Sequence, residues 1–200
     1  MLNGLGTATL DRIYRFRARW SARRILPWVT ARDRVLDIGA GDCNLDLELQ
    51  RAAGCTVVPV DVADGNRTEL PLRLYDGRKL PFPDASFDVG MMLFVLHHAE
   101  DPGALLRDAM RVCRRLIAFE DVNSSWWDRK TFRRTHWVFD KFLGIRYPRH
   151  EWPPARWSAL AREAGLAERW SGPIGRQFGY LSPRHIMYVW EPPERQPARA

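Results

Sequence analysis

The chain of 200 residues is poor in cysteine, in lysine and in long apolar runs. Its three cysteines, Cys43, Cys55 and Cys113, are odd in number and lack C-x-x-C spacing, so neither a disulfide framework nor a zinc site is indicated and no metal is expected. A reducing cytoplasm is the expected location. The longest core-like run, Val89 to Leu96, is far too short to span a bilayer, and no charged-then-apolar leader opens the chain. Lysine occurs only at 79, 130 and 141, so the net charge of +7 comes almost wholly from arginine. Such an excess fits phosphate binding and equally fits the base composition of a source genome. The length suits one domain with a sizeable core, and 46% hydrophobic and 12% aromatic content is ordinary for a globular chain.

One stretch organises the rest. Val35-Leu36-Asp37-Ile38 reads as a buried parallel strand, and Gly39-Ala40-Gly41 after it as a turn that lets backbone approach a ligand closely. Leu45, Leu49, Ala52 and Ala53 share one helical face, so the turn opens a helix, and Gly54 is placed to close it. A glycine turn between strand and helix presents backbone N–H groups to the polar parts of a nucleotide-like ligand. About 20 residues on, Val57-Val58-Pro59-Val60 ends in Asp61, where a dinucleotide-type fold places an acid on ribose hydroxyls. The nicotinamide fingerprint G-x-G-x-x-G needs glycine at 44, where this chain has Asn44, and it has no use for the acid at Asp37.

Acid-x-Gly-x-Gly with an acid at the next strand end resembles the class I S-adenosylmethionine-dependent methyltransferases. Asp76-Gly77-Arg78-Lys79-Leu80-Pro81-Phe82-Pro83-Asp84-Ala85-Ser86-Phe87-Asp88-Val89 is similar to the D-x-x-x-L-P-F-x-x-x-x-F-D-x signature of the small-molecule group called methyltransferase type 11, and Leu96-His97-His98 with Asp101-Pro102 continues it. The likeness is specific from about residue 33 to 121. It implies a Rossmann-like α/β fold: a doubly wound, seven-stranded, mostly parallel sheet with an antiparallel last strand. It implies S-adenosyl-L-methionine as cofactor. Asp37 then orients the turn, Gly39, Ala40 and Gly41 line the methionine and ribose part, Asp61 with Val62 takes the ribose hydroxyls, Asp76 and Gly77 contact the adenine, and Leu93 lies at the cofactor-side end of the fourth strand. Two departures stand out. Cys43 replaces a glycine usual in the family, and Arg114-Arg115 lead straight into Leu116-Ile117-Ala118-Phe119 where a Pro-Gly-Gly turn is common.

The flanks are less specific. Residues 1–32 carry Tyr14, Phe16, Trp20, Ile25 and Trp28 among seven arginines, with Leu10, Ile13, Tyr14, Arg17 and Trp20 at helical spacing. This is either a basic amphipathic helix over residues 10–28 that touches an anionic membrane or covers the cofactor, or a helix packed on the sheet. Phe87 to Leu96 reads as the fourth strand. Asp101 and Pro102 supply a helix N-cap and first residue, with Leu105, Leu106, Ala109, Val112 and Cys113 on one face and Arg107, Arg111, Arg114 and Arg115 turned to solvent. Residues 122–152, rich in tryptophan, phenylalanine and arginine, form a helical, aromatic cap whose rings build an apolar wall for a flat acceptor or a satellite core. Pro153-Pro154 begins another helix ended by Gly165. Leu166 to Ser171 and Ile186 to Trp190 are the last strands, and 191–200 reads as a disordered tail.

Glu120 and Asp121 end the fifth strand, and His97 and His98 follow the fourth, which places all four around the crevice at the carboxyl ends of the strands. A general base is drawn from His98 or His97, oriented by Glu120 or Asp121. The reading is a single methyltransferase domain that moves a methyl group to an O, N or C nucleophile of a small, aromatic or hydrophobic molecule. Two alternatives stay open: a catalytically inactive cofactor-binding partner protein, and a protein or RNA methyltransferase. For nucleic acid there is no Asn/Asp-Pro-Pro-aromatic motif at Leu93 to Leu96 and no Pro-Cys pair.

Overall fold

A computed structural model describes residues 4–143 and 147–193. Seven strands form one sheet: β1 (Arg34–Ile38), β2 (Thr56–Asp61), β3 (Arg73–Leu74), β4 (Phe87–Leu93), β5 (Cys113–Asp121), β6 (Ala167–Gly175) and β7 (His185–Glu191). Their order is β3-β2-β1-β4-β5-β7-β6, with β7 antiparallel to both neighbours and the first five strands parallel. The order reverses between β1 and β4, so a crevice opens at the carboxyl ends of those two strands.

The central strands carry apolar residues toward both faces because helices cover both. On one side α3 (Pro102–Val112) and α5 (Pro154–Glu163) bury Leu106, Ala109, Trp157 and Leu160 against Leu36, Leu116 and Tyr188. On the other, Ala22 and Ile25 of α1 (Gly4–Ile25) and Leu49 of α2 (Asn44–Ala53) cover Val35, Val89, Ile117 and Val189. The helix α4 (Trp126–Leu143) follows β5. Gly54 closes α2 in the left-handed conformation, and the Asp101 carboxylate caps α3 through the Ala104 amide at 2.8 Å.

Several expectations need correction. β4 stops at Leu93, three residues early, because Phe94 turns into the left-handed region at φ 61°. The Arg114-Arg115 junction has no separate turn: Cys113 is both the C-cap of α3 and the first residue of β5. Arg107 and Arg114 are exposed, but Arg111 bonds Asp108, Asp84 and the carbonyls of Leu80 and Phe82, while Arg115 bonds Glu191 and the Trp28 carbonyl. β6 runs four residues past Ser171 to Gly175. Glu191 ends β7, so the tail expected from 191 starts later, and residues 194–200 lie outside the described ones. Ala18, Ala22 and Ile25 are buried, so one face of the second half of the 10–28 stretch packs on the protein. No described helix is long and apolar enough to cross one.

Candidate active site at the carboxyl edge of the sheet

The turn after β1 is held from below. The amides of Gly39 and Ala40 both donate to the Val60 carbonyl, at 2.8 and 3.1 Å, and the Gly41 amide donates to Asp61 Oδ2 at 2.8 Å. These N–H groups therefore fix the turn and are not the free ligand donors expected from the sequence. Gly39 has φ 81°, and a Cβ there would meet Val95 Cγ2 at 2.5 Å. Only glycine fits both conditions. Gly41 also has positive φ, and a Cβ there would enter open space beside the turn, where a ligand can come within contact of the backbone.

Asp61 Oδ1 accepts the amides of Val62 and Ala63, so Oδ2, bonded once, keeps capacity for a further donor such as a hydroxyl. Val62 is exposed and adjoins Gly77, whose added Cβ would lie 3.0 Å from Val62 Cγ1. Asp76 is exposed, and its Oδ1 accepts the amides of Arg78 and Lys79, which hold the carboxyl below its usual range. Leu93, half-buried, is the last residue of β4. The nine cofactor candidates thus gather along the ends of β1, β2, β3 and β4.

The sequence reading missed three features of this edge. Asp46 lies buried beside Asp37. Burial, then their mutual repulsion, pushes Asp37 well above the carboxylate range, and burial pushes Asp46 up to about 7, so the pair holds a proton. Asp46 sits one turn into α2, a signal that a helix-face count could have found. Second, the segment after β2 folds back: the Arg67 amide donates to the Asp42 carbonyl, and its guanidinium pairs with Asp11 of α1 at 3.0 Å. A cavity of about 390 Å³ lined by Asp11, Arg15, Asn44, Asn66 and Arg67 lies there, so α1 does cover this edge. Third, Cys43 takes φ 58° as the N-cap of α2, which explains why glycine suits that position.

All five histidines of the chain lie in or next to one polar cluster beside these strand ends. His97 Nδ1 meets Glu120 Oε2 at 2.5 Å, and Glu120 Oε1 accepts the Leu96 amide. Asp121 accepts from His136 Nε2 at 3.0 Å and His185 Nδ1 at 2.7 Å. The His98 ring lies 4.3 Å from that of His97 and 6.0 Å from that of His136. His150 anchors to the Ala99 carbonyl, and its amide donates to that of His97. The structure therefore unites the four predicted catalytic residues and adds His136 and His185, which no sequence spacing announces.

Their environments differ. Burial raises Glu120, and against burial the Glu120 carboxylate raises His97. Burial alone would raise Asp121, yet the hydrogen bonds from His136 and His185 hold it below its usual range. Burial and the neighbouring His97 and His136 push His98 down to about 3. Glu120 and Asp121 are buried under the histidines, so they orient rings and do not meet a ligand themselves. His98 is the half-buried member, and its low basicity makes it a poor proton acceptor.

The aromatic wall is only partly as expected. Phe132 is buried against His97 and His136, but Trp126, Trp127 and Trp137 of α4 are more than half exposed.

Residues 36–116 match the family model described as a methyltransferase domain. Over that stretch the chain is similar to the class I S-adenosylmethionine-dependent methyltransferases. A demethylmenaquinone methyltransferase of Streptomyces avermitilis is 31% identical over 138 residues, which are 63% of this chain and 56% of that protein. A 27-O-demethylrifamycin SV methyltransferase of Amycolatopsis mediterranei is 33% identical over 97 residues, 42% of this chain and 36% of that one. The chain thus spans about half the length, or less, of these curated relatives. The fold is that of a SAM-dependent methyltransferase from Methanosarcina mazei, with TM-score 0.65, 16% identity, and 84% of this chain and 96% of that chain covered. S-adenosylmethionine is the cofactor of this methyltransferase family, and the open cradle at Gly41 with the spare acceptor on Asp61 fits its ribose and methionine parts.

Proposed function

We propose that the chain transfers a methyl group from S-adenosylmethionine to an O, N or C nucleophile of a small, aromatic or hydrophobic molecule. The observation that carries this reading is the glycine turn locked between Val60, Asp61 and Val95, which leaves open space at Gly41 and a spare acceptor on Asp61. When bound, the cofactor supplies a methyl group already activated on a sulfonium. The chain's own task is then alignment and exclusion of water. Asp61 takes the ribose hydroxyls, with Val62, Gly77 and Leu93 as apolar walls for the adenosine, and Asp37 sets the turn from beneath. Asp76 secures the β3 turn through its own amide bonds. The acceptor lies against His98, while Glu120 and Asp121 act as positioning groups through His97 and His136.

The names of the two relatives, a menaquinone-type and a rifamycin-type methyltransferase, support a hydrophobic ring-bearing acceptor. Three free, buried thiols support a reducing compartment. The test is a methyl-transfer assay with labelled S-adenosylmethionine against naphthoquinols, polyphenols and aromatic amines. Label in an acceptor supports the proposal. Binding of the cofactor with no transfer to any small molecule, protein or RNA overturns it in favour of an inactive cofactor-binding partner.

A further inference from the structure

We propose that His97, His98 and His136 form a binding site for a divalent transition-metal ion of the Zn²⁺ type, with an open position for an oxygen of the methyl acceptor. The ligand nitrogens of the three rings lie within 4.8 Å of one another, and they are the group with metal-holding spacing among the described residues. Zn–N bonds of about 2.0 Å in a tetrahedral site set N···N separations of about 3.3 Å, so the rings must draw together by up to about 1.5 Å.

The surroundings favour this assignment over a chance meeting of rings. His97 is nine-tenths buried and more, its Nδ1 is committed to Glu120, and its Nε2 is buried with no hydrogen-bond partner. A buried imidazole nitrogen without a partner is costly unless something supplies a bond to it. His136 has its Nε2 hydrogen-bonded to Asp121, so Nδ1 is the atom it would offer an ion. Two of the three rings are therefore backed by carboxylates, the arrangement that fixes tautomer and raises ligand strength in metal sites. Asp121 is further steadied by His185, and Glu120 by the Leu96 amide. His98 is the half-buried third ring. Three neutral nitrogen donors and an open fourth place match a zinc-class ion better than magnesium or calcium, which prefer oxygen. The ion would take an acceptor hydroxyl as fourth ligand and favour loss of its proton to water, leaving the oxygen on the metal. This part rests on the acceptor position proposed above; metal binding itself does not.

The experiment is calorimetric titration of the chelator-treated full chain with Zn²⁺, and absorbance titration with Co²⁺, whose visible bands report four-coordination. One ion per chain is expected. His98→Ala and His136→Ala should each weaken binding more than tenfold, Asp121→Asn by about 10- to 100-fold, and His150→Ala not at all. His98 is half-buried and among the described residues packs against the rings of His97 and His136, so that variant tests the site even if His136→Ala does not fold. No binding of either ion, or equal affinity in His98→Ala and the unaltered chain, overturns the proposal. Metal binding without methyl transfer leaves the site standing and removes the acceptor reading; full transfer by the stripped chain with no ion bound overturns the ion's part in holding the acceptor and leaves metal binding to the titration.

Discussion

Gly39 and Cys43 occupy the same tight corner under opposite constraints. Gly39 meets both a positive φ and the Val95 side chain, so Gly39→Ala should cost about 1–3 kcal/mol of stability and weaken cofactor binding as well. Gly39→Arg therefore disturbs the fold as well as binding. Cys43 holds a left-handed φ with a buried side chain. Glycine there relieves strain and loses buried contacts, so Cys43→Gly should stay within about 1 kcal/mol of the parent, whereas the β-branched Cys43→Val should lose about 2 kcal/mol or more in urea unfolding. Burial pushes the thiols of Cys43 and Cys113 up to about 12. Neither should react with a thiol-specific reagent at neutral pH until the chain is unfolded.

Among individual residues, those read from the glycine motif were legible because backbone conformation leaves a residue-type signature. Gly39, Gly41 and Asp61 are of this kind. His136 and His185 are not: they reach Asp121 from 15 and 64 residues away, through α4 and β7, and nothing local in sequence records such a meeting.

At the scale of elements, Arg111 ties α3 to the segment ahead of β4 through Asp84 and the carbonyls of Leu80 and Phe82, and pairs with Asp108 within the helix. Arg111→Ala should lower stability by about 1–2 kcal/mol, most of it from the carbonyl bonds, since the Asp84 arm is exposed. The helix pattern suggested a solvated face for this arginine because helical spacing cannot see partners on another element. Conversely, β1, β2 and β7 were legible nearly to the residue, since buried central strands demand unbroken apolar runs. The end of β4 was misplaced because Val95 and Leu96 remain apolar while the backbone has already turned at Phe94. The aromatic cap was legible as a helix and not as a wall: its exposed tryptophans and its buried Phe132 look alike in composition.

Across the whole molecule, two buried carboxyl groupings set opposite pH dependences. Asp46 has its folded pKa raised to about 7, so the native chain holds a proton that the unfolded chain has released, and stability falls as pH rises from about 4 through 7. Asp46→Asn should flatten that slope, gaining stability at pH 8 and not at pH 4 in paired thermal melts. Asp121, and Asp128 at about 2 beside Arg184, have lowered folded values, so their contribution is present above pH 4 and is lost as pH falls further. A stability maximum below neutrality follows from the two together.

The sheet order and the turn at its switch point make cofactor binding the centre of this account. Calorimetric titration of the full chain with S-adenosylmethionine tests it most directly, alongside its demethylated product, NAD as control, and Asp61→Ala. The account predicts Kd values on the order of micromolar for the first two, about −8 kcal/mol, no binding of NAD, and loss of binding in Asp61→Ala, which also releases the Gly41, Val62 and Ala63 amides. No binding of S-adenosylmethionine to the unaltered chain, or equal affinity in Asp61→Ala, would contradict it.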